Sequence, residues 1–185
     1  MKPIILASAS PRRQEICTLL GLTFTVLPAK SEAPVDARLP IDDAIVQVAR
    51  AKAEEVAALY PDTPVLGADT SVIVDDEVLG KPRDEEDAKA MLRRLSGRTH
   101  RVVTGVWLCD GAQSGGFSDS TDVTFAPMTE DEIDEYVRLG EPMDKAGAYG
   151  IQGGGMRYIM GIHGDFYTVM GLPSGRLYRF LKERL

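Results

Sequence analysis

An apolar run at residues 3–7 opens the chain and predicts a short buried strand. Ser8-Ala9-Ser10-Pro11 then switches the pattern to a helical one over residues 12–20, and Gly21 stops it. A second strand is predicted at residues 23–27. Residues 30–40 carry prolines and charges without a period and read as a loop. Residues 41–60 repeat at helical spacing, with Ile45, Val48, Ala49, Val56 and Leu59 in one stripe at about 100° per residue. Residues 64–74 predict a strand, Asp75-Asp76 a turn, and residues 78–81 the start of the return. Asp84 and Asp87 open another helix, with Ala88, Met91, Leu92 and Leu95 on one face. Residues 101–109 and 116–125 read as antiparallel strands around a Gly/Ser-containing turn. Thr129 and Glu132 form a capping-box pattern for a helix to residue 139. Residues 158–162 and 166–169 predict a hairpin around His163-Gly164-Asp165, and residues 173–185 a last helix.

Strands and helices intermix without strict βαβ alternation. The expected class is α/β with a mixed sheet rather than a plain doubly wound one. At 185 residues the chain suits one domain over its whole length, and a domain of two lobes also fits. With 44% hydrophobic and 26% charged residues, wholesale disorder is not expected.

A formal charge of −7 argues against general nucleic-acid binding, which relies on surplus Lys and Arg. It does not exclude a small anionic substrate, which answers to local charge. Cys17 and Cys109 lack companions at zinc-ligand spacing, read as inert core thiols, and fit a reduced, cytoplasmic setting. Residues 1–7 do not have a signal-peptide layout. No apolar run approaches the roughly 20 residues of a membrane span, so no membrane partner is expected.

Five segments carry candidate chemistry. In Ser8-Ala9-Ser10-Pro11-Arg12-Arg13, Ser10 suits an N-cap and Pro11 the first helical position. Two arginines in the first turn oppose the helix dipole, a conflict that a bound anion would resolve. A capped surface helix with solvated arginines is the other reading. Lys52 falls inside the apolar stripe of its helix, so it either meets an anion (a phosphate, Glu32 or Asp69) or snorkels to solvent. Asp69, in Leu66-Gly67-Ala68-Asp69-Thr70, interrupts an otherwise apolar strand. A carboxylate there needs a metal, a cation or hydrogen-bond donors, and a structural Asp–Lys pair would also satisfy it. Gly67 and Ala68 leave room for a ligand beside the backbone.

Lys81, in Gly80-Lys81-Pro82, can reach a phosphate or remain an ordinary surface lysine. Residues 145–155 are glycine-rich, which either lets backbone approach a flat ligand or makes a flexible connection. Gln152 offers both a donor and an acceptor, as a nucleobase edge does. His100 and His163 have no metal-ligand spacing, and neither a Gly-x-Ser-x-Gly elbow nor a Walker loop is present.

In this order, these segments resemble the Maf family of nucleotide pyrophosphatases. Residues 6–13, 67–70, 80–82 and 145–153 carry the resemblance, with Leu95-Ser96-Gly97 and Gly171-Leu172-Pro173. The match at 145–153 looks like the dTTP/UTP branch, whereas Gly154-Gly155-Met156-Arg157 departs from the family's form. The resemblance implies a fold like that of the Maf and inosine triphosphatase proteins, with two lobes and a central cleft. It also implies hydrolysis of a nucleoside triphosphate to monophosphate and pyrophosphate with a divalent metal such as Mg²⁺ or Mn²⁺. Homodimers are common in the family, so a homodimer is a candidate assembly.

Asp69 matches the catalytic position. Arg12, Thr70 and Gln152 match positions that shape base specificity, while Ser8, Arg13, Lys52 and Lys81 match phosphate-binding positions in the cleft. Glu32 matches a further cleft position and is, with Asp69, a candidate metal ligand. Asp69 could orient or deprotonate the attacking water, but a carboxylate on a metal is a poorer base, so its two roles compete. A pyrophosphatase for modified nucleotides and a non-catalytic nucleotide sensor regulating cell division are the alternatives.

Overall fold

A computed structural model describes residues 1–30 and 33–185. Its strands are β1 (Ile4–Leu6), β2 (Phe24–Val26), β3 (Val65–Val74), β4 (Glu77–Leu79), β5 (Thr99–Cys109), β6 (Gly115–Phe125) and β7 (Ile159–His163). The helices are α1 (Pro11–Leu19), α2 (Ile41–Ala57), α3 (Glu85–Leu95), α4 (Glu130–Arg138), α5 (Phe166–Met170) and α6 (Ser174–Lys182). One sheet runs β2-β1-β3-β5-β6-β7, with β4 paired to β3. β1 is parallel to β2 and β3, whereas β3–β4 and β6–β7 are antiparallel. The expected mixed α/β sheet is therefore present.

The chain divides into two compact units. The first comprises Met1–Thr70, Thr104–Asp119 and Gly171–Leu185, and the second Ser71–Val103 and Ser120–Met170. In the first, Ala53 and Val56 of α2 pack with Ile5, Ala7 and Val65. In the second, Leu92 and Leu95 of α3 and Ile133, Tyr136 and Val137 of α4 pack with Val72, Val102 and Phe125.

Local chemistry sets several element ends. Asp84 caps α3 by accepting from the Asp87 N–H at 2.8 Å. Thr129 and Glu132 form the expected capping box on α4. Asp75 and Asp76 have φ of 52° and 59°, as a two-residue turn between β3 and β4 requires. Asp75 is paired to Arg98 and lies 3.7 Å from Arg94.

Three expectations need correction. Helix α2 ends at Ala57, and Leu59 and Tyr60 are exposed rather than part of its buried stripe. Pro61 disfavours helical backbone in the residue before it. Ser10 is at the N-cap of α1, but its side chain makes no capping bond; its N–H donates to Ser8 Oγ at 3.3 Å. Residues 166–169 are helical, not the second arm of a hairpin. Asp165 starts that turn, its carboxylate accepting from the Tyr167 N–H at 2.9 Å, and β7 pairs with β6 instead.

Burial pushes the Cys17 thiol up to about 11 and raises that of Cys109 too, in keeping with unreactive packed thiols. Among the described residues, no helix is long and apolar enough to cross a membrane.

Candidate active site

Two glycines set how closely α2 approaches the sheet. A Cβ on Gly67 of β3 would lie 2.3 Å from the Ala49 carbonyl oxygen and 2.9 Å from Ala53 Cβ. A Cβ on Gly105 of β5 would lie 2.7 Å from the backbone at Ile45 and Val46. Helix α2 therefore occupies the space that Gly67 was expected to keep open for a ligand. Lys52 is three residues beyond Ala49, and Asp69 is two beyond Gly67 on the same strand face. Lys52 Nζ donates to Asp69 Oδ1 at 2.6 Å, with the two side chains 19% and 18% exposed. The pair stays within reach of solvent. Asp69 Oδ2 accepts no hydrogen bond among the described residues.

The first turn of α1 makes a second polar group in the same unit. Arg13 donates from Nη1 to Ser8 Oγ at 3.0 Å, from Nη2 to Thr70 Oγ1 at 3.2 Å, and from Nε to the Gly171 carbonyl at 3.0 Å. Thr70 Oγ1 is 2.9 Å from Thr104 Oγ1 of β5. All these acceptors are neutral. Burial lowers the Arg13 pKa from its ordinary value, and the Asp69 charge partly offsets this. Arg12 is half-buried and forms no hydrogen bond or ion pair among the described residues. Two cations thus share a helix start that is already electropositive, without a carboxylate paired to either among the described residues.

Thr104 is a site residue that sequence reasoning passed over, and Gly171 was singled out only as part of the family match, without a role in the site. Thr104 is a fully buried hydroxyl in an apolar strand, which was the available signal. Gly171 has φ of 119°, and a Cβ there would meet Arg13 Nε at 3.3 Å.

Lys81 and Gln152 belong to the second unit, and both are exposed. Lys81 lies between Gly80, whose carbonyl accepts from the Gly147 N–H at 3.0 Å, and buried Pro82. Gln152 sits in a turn closed by the Gly153 N–H to the Gly150 carbonyl at 3.3 Å. The glycines of this segment approach protein rather than leaving space for a flat ligand. A Cβ on Gly150 would lie 2.8 Å from Lys145 Cε, and one on Gly153 2.2 Å from Glu141 Oε1.

Among the described residues, no group of three or more His, Cys, Asp or Glu side chains could hold a metal. Glu32 lies outside the described residues. Asp69, with one carboxylate oxygen not hydrogen-bonded to them, fits a Mg²⁺-type ion, which commonly takes one or two carboxylates and completes its shell with waters and substrate phosphates.

The Maf family model, described as "Maf-like protein", matches residues 3–184. The chain belongs to the Maf family. It is 47% identical to a dTTP/UTP pyrophosphatase of Bacillus velezensis, covering 98% of this chain and 96% of that protein. A dTTP/UTP pyrophosphatase of Agathobacter rectalis is also 47% identical, with 99% and 98% covered. The Staphylococcus aureus Ham1 protein superposes with a TM-score of 0.53 at 14% identity, each chain covered in full. At that identity the likeness concerns the fold alone, and it agrees with the expected architecture.

Proposed function

We propose that this Maf-family chain hydrolyses dTTP and UTP to the monophosphate and pyrophosphate. The observation that carries this reading is the Lys52–Asp69 pair: Lys52 holds one carboxylate oxygen, and the other forms no hydrogen bond among the described residues. The Maf relatives named for this activity support the choice of substrate.

Splitting the bond between the α- and β-phosphates requires an aligned water, a proton acceptor and stabilisation of the departing pyrophosphate. Lys52 holds Asp69 in orientation, and Asp69 takes the proton from the water that attacks the α-phosphorus. Arg12, aided by the N–H groups opening α1, binds phosphate oxygens. Arg13 uses three of its five N–H donors on protein oxygens, so it first holds Ser8 and Thr70 in place and offers its remaining donors to phosphate. A Mg²⁺ or Mn²⁺ ion held by Asp69, Glu32 and substrate oxygens would supply charge neutralisation. The roles of Lys81 in phosphate binding, and of Gln152, Arg12 and Thr70 in base selection, rest on the family resemblance.

The test is a panel of nucleoside triphosphates with Mg²⁺, Mn²⁺ or EDTA, with monophosphate, diphosphate, pyrophosphate and phosphate quantified. Metal-dependent dTMP and UMP with equimolar pyrophosphate is the expected result. Diphosphate plus phosphate would refute the choice of bond. A ranking led by a modified base would move the substrate, and tight binding without turnover would make the chain a sensor.

A further inference from the structure

The turn that carries Gln152 is bracketed by one carboxylate. Glu141 Oε1 accepts from the Tyr136 hydroxyl at 2.8 Å, and its Oε2 accepts from the Gly154 N–H at 2.7 Å. Tyr136 Oη in turn accepts from the Gly150 N–H at 3.2 Å. Both ends of the Gly150-to-Gly154 turn are therefore tied to a single side chain, one directly and one through a buried phenol. The glycines make this approach possible. A Cβ at Gly153 would lie 2.2 Å from Glu141 Oε1, and one at Gly154 would lie 2.9 Å from Tyr136 Cε2. Glu141 is itself held, because Lys145 Nζ donates to its backbone carbonyl at 2.8 Å and to Asp144 Oδ1 at 2.7 Å. Burial keeps the Tyr136 phenol protonated, so it remains a donor to Glu141.

We propose that Glu141, acting with Tyr136, is a positioning residue for Gln152 and thereby sets nucleobase selection. The inference rests on Gln152 reading the base. Gln152 is exposed and its side chain forms no hydrogen bond among the described residues, so its placement comes from the backbone of the turn. A carboxylate provides two acceptors for two donors. Glutamine at position 141 provides one acceptor and an NH₂ group that meets a second donor. The ties should loosen while the fold stays intact.

The experiment compares wild type, Glu141→Gln, Tyr136→Phe and Gln152→Ala. For each, kcat and KM are measured for dTTP, UTP, CTP and GTP, and amide hydrogen exchange of Gly150 and Gly154 is followed by NMR. Loss of a bond to a charged acceptor predicts about tenfold faster Gly154 exchange in Glu141→Gln. The same loss predicts an increase of about tenfold in KM for the preferred nucleotide, a preference narrowed alike, and kcat within about twofold of wild type. Tyr136→Phe should do the same at Gly150, more weakly, and it carries the test if Glu141→Gln fails to fold. Unchanged exchange, or a fall in kcat shared by all nucleotides without a change in ranking, overturns the inference. If Gln152→Ala shifts the ranking and Glu141→Gln does not, only the positioning role falls. If Gln152→Ala itself leaves the ranking unchanged, base reading by Gln152 falls, and this inference with it.

Discussion

Lys52 Nζ lies 2.6 Å from Asp69 Oδ1 because helix α2 packs against a strand with no side chain at Gly67. The residues that bring the two charges together are therefore apolar. Ala49 and Ala53 approach the bare backbone, and Lys52, which lies between them on the same helix, presents the ammonium to the carboxylate. Both charges are about four-fifths buried yet retain contact with solvent, which lowers the cost of holding them together.

Gly67→Ala should part this pair. The new methyl would be 2.3 Å from the Ala49 carbonyl oxygen, and backbone cannot rotate away as a side chain can. Displacing α2 is expected to cost about 1–3 kcal/mol, a typical overpacking penalty. Turnover should fall even at temperatures where the variant remains folded. Gly175→Ala, where a Cβ meets nothing within 4 Å, is the control. Urea unfolding with parallel steady-state rates checks both, and a Gly67→Ala protein with wild-type stability and rate would show that the contact is not limiting.

Asp69→Asn keeps an oxygen to accept from Lys52 and removes the base. A fall in kcat of about 10²- to 10⁴-fold is expected, the usual worth of general base catalysis, with the melting temperature little changed. Single-turnover measurements at saturating nucleotide check it. Turnover close to that of wild type would remove Asp69 from the chemistry.

The two arginines of α1 should separate by readout. Arg13 points three donors in three directions, at Ser8, Thr70 and Gly171. The compact ammonium of Arg13→Lys does not span them. Stability should fall by about 1–3 kcal/mol, with activity lost alongside. Arg12 forms no hydrogen bond or ion pair among the described residues, so Arg12→Ala should leave stability within about 0.5 kcal/mol of wild type. KM for the triphosphate should rise about tenfold, as loss of a charged phosphate contact predicts. Thermal melts and initial rates over a nucleotide series distinguish the two, and equal destabilisation by both would contradict the assignment.

Much of this was readable along the chain for a physical reason. Lys52 and Asp69 each stand as a charge at a position where the local period demands an apolar residue, and the cost of burying either alone called for a partner. Asp84, Thr129 and Glu132 announced their helices because capping is a local interaction. The partners of Arg13 were less accessible, since Gly171 is 158 residues away. The glycines misled for a related reason: a missing Cβ marks close approach but does not say what approaches. At Gly67 it is α2, and at Gly153 it is Glu141. The aromatic and β-branched residues 166–169 read as a strand because propensity was weighed without the cap at Asp165.

His100 gives the last prediction. It is buried, with Nε2 2.7 Å from the Tyr149 hydroxyl and its ring edge-on to Phe125 and Tyr149. Burial pushes its pKa down to about 4, while an unfolded histidine titrates near 6.5. Below about 6.5 the unfolded chain takes up a proton that the folded chain refuses, so acid favours unfolding. Stability should decline as the pH falls from 6.5 towards 4, by on the order of 3 kcal/mol at the limit, and this contribution should level off below 4. The Tyr149 phenol is raised above its ordinary value by burial, and it does not titrate in this window. His100→Gln keeps a polar group facing Tyr149 without the titration, so it should flatten the decline over this range. Urea unfolding at several pH values between 7 and 4.5 checks it, and equal slopes for wild type and variant would assign the acid sensitivity to other groups.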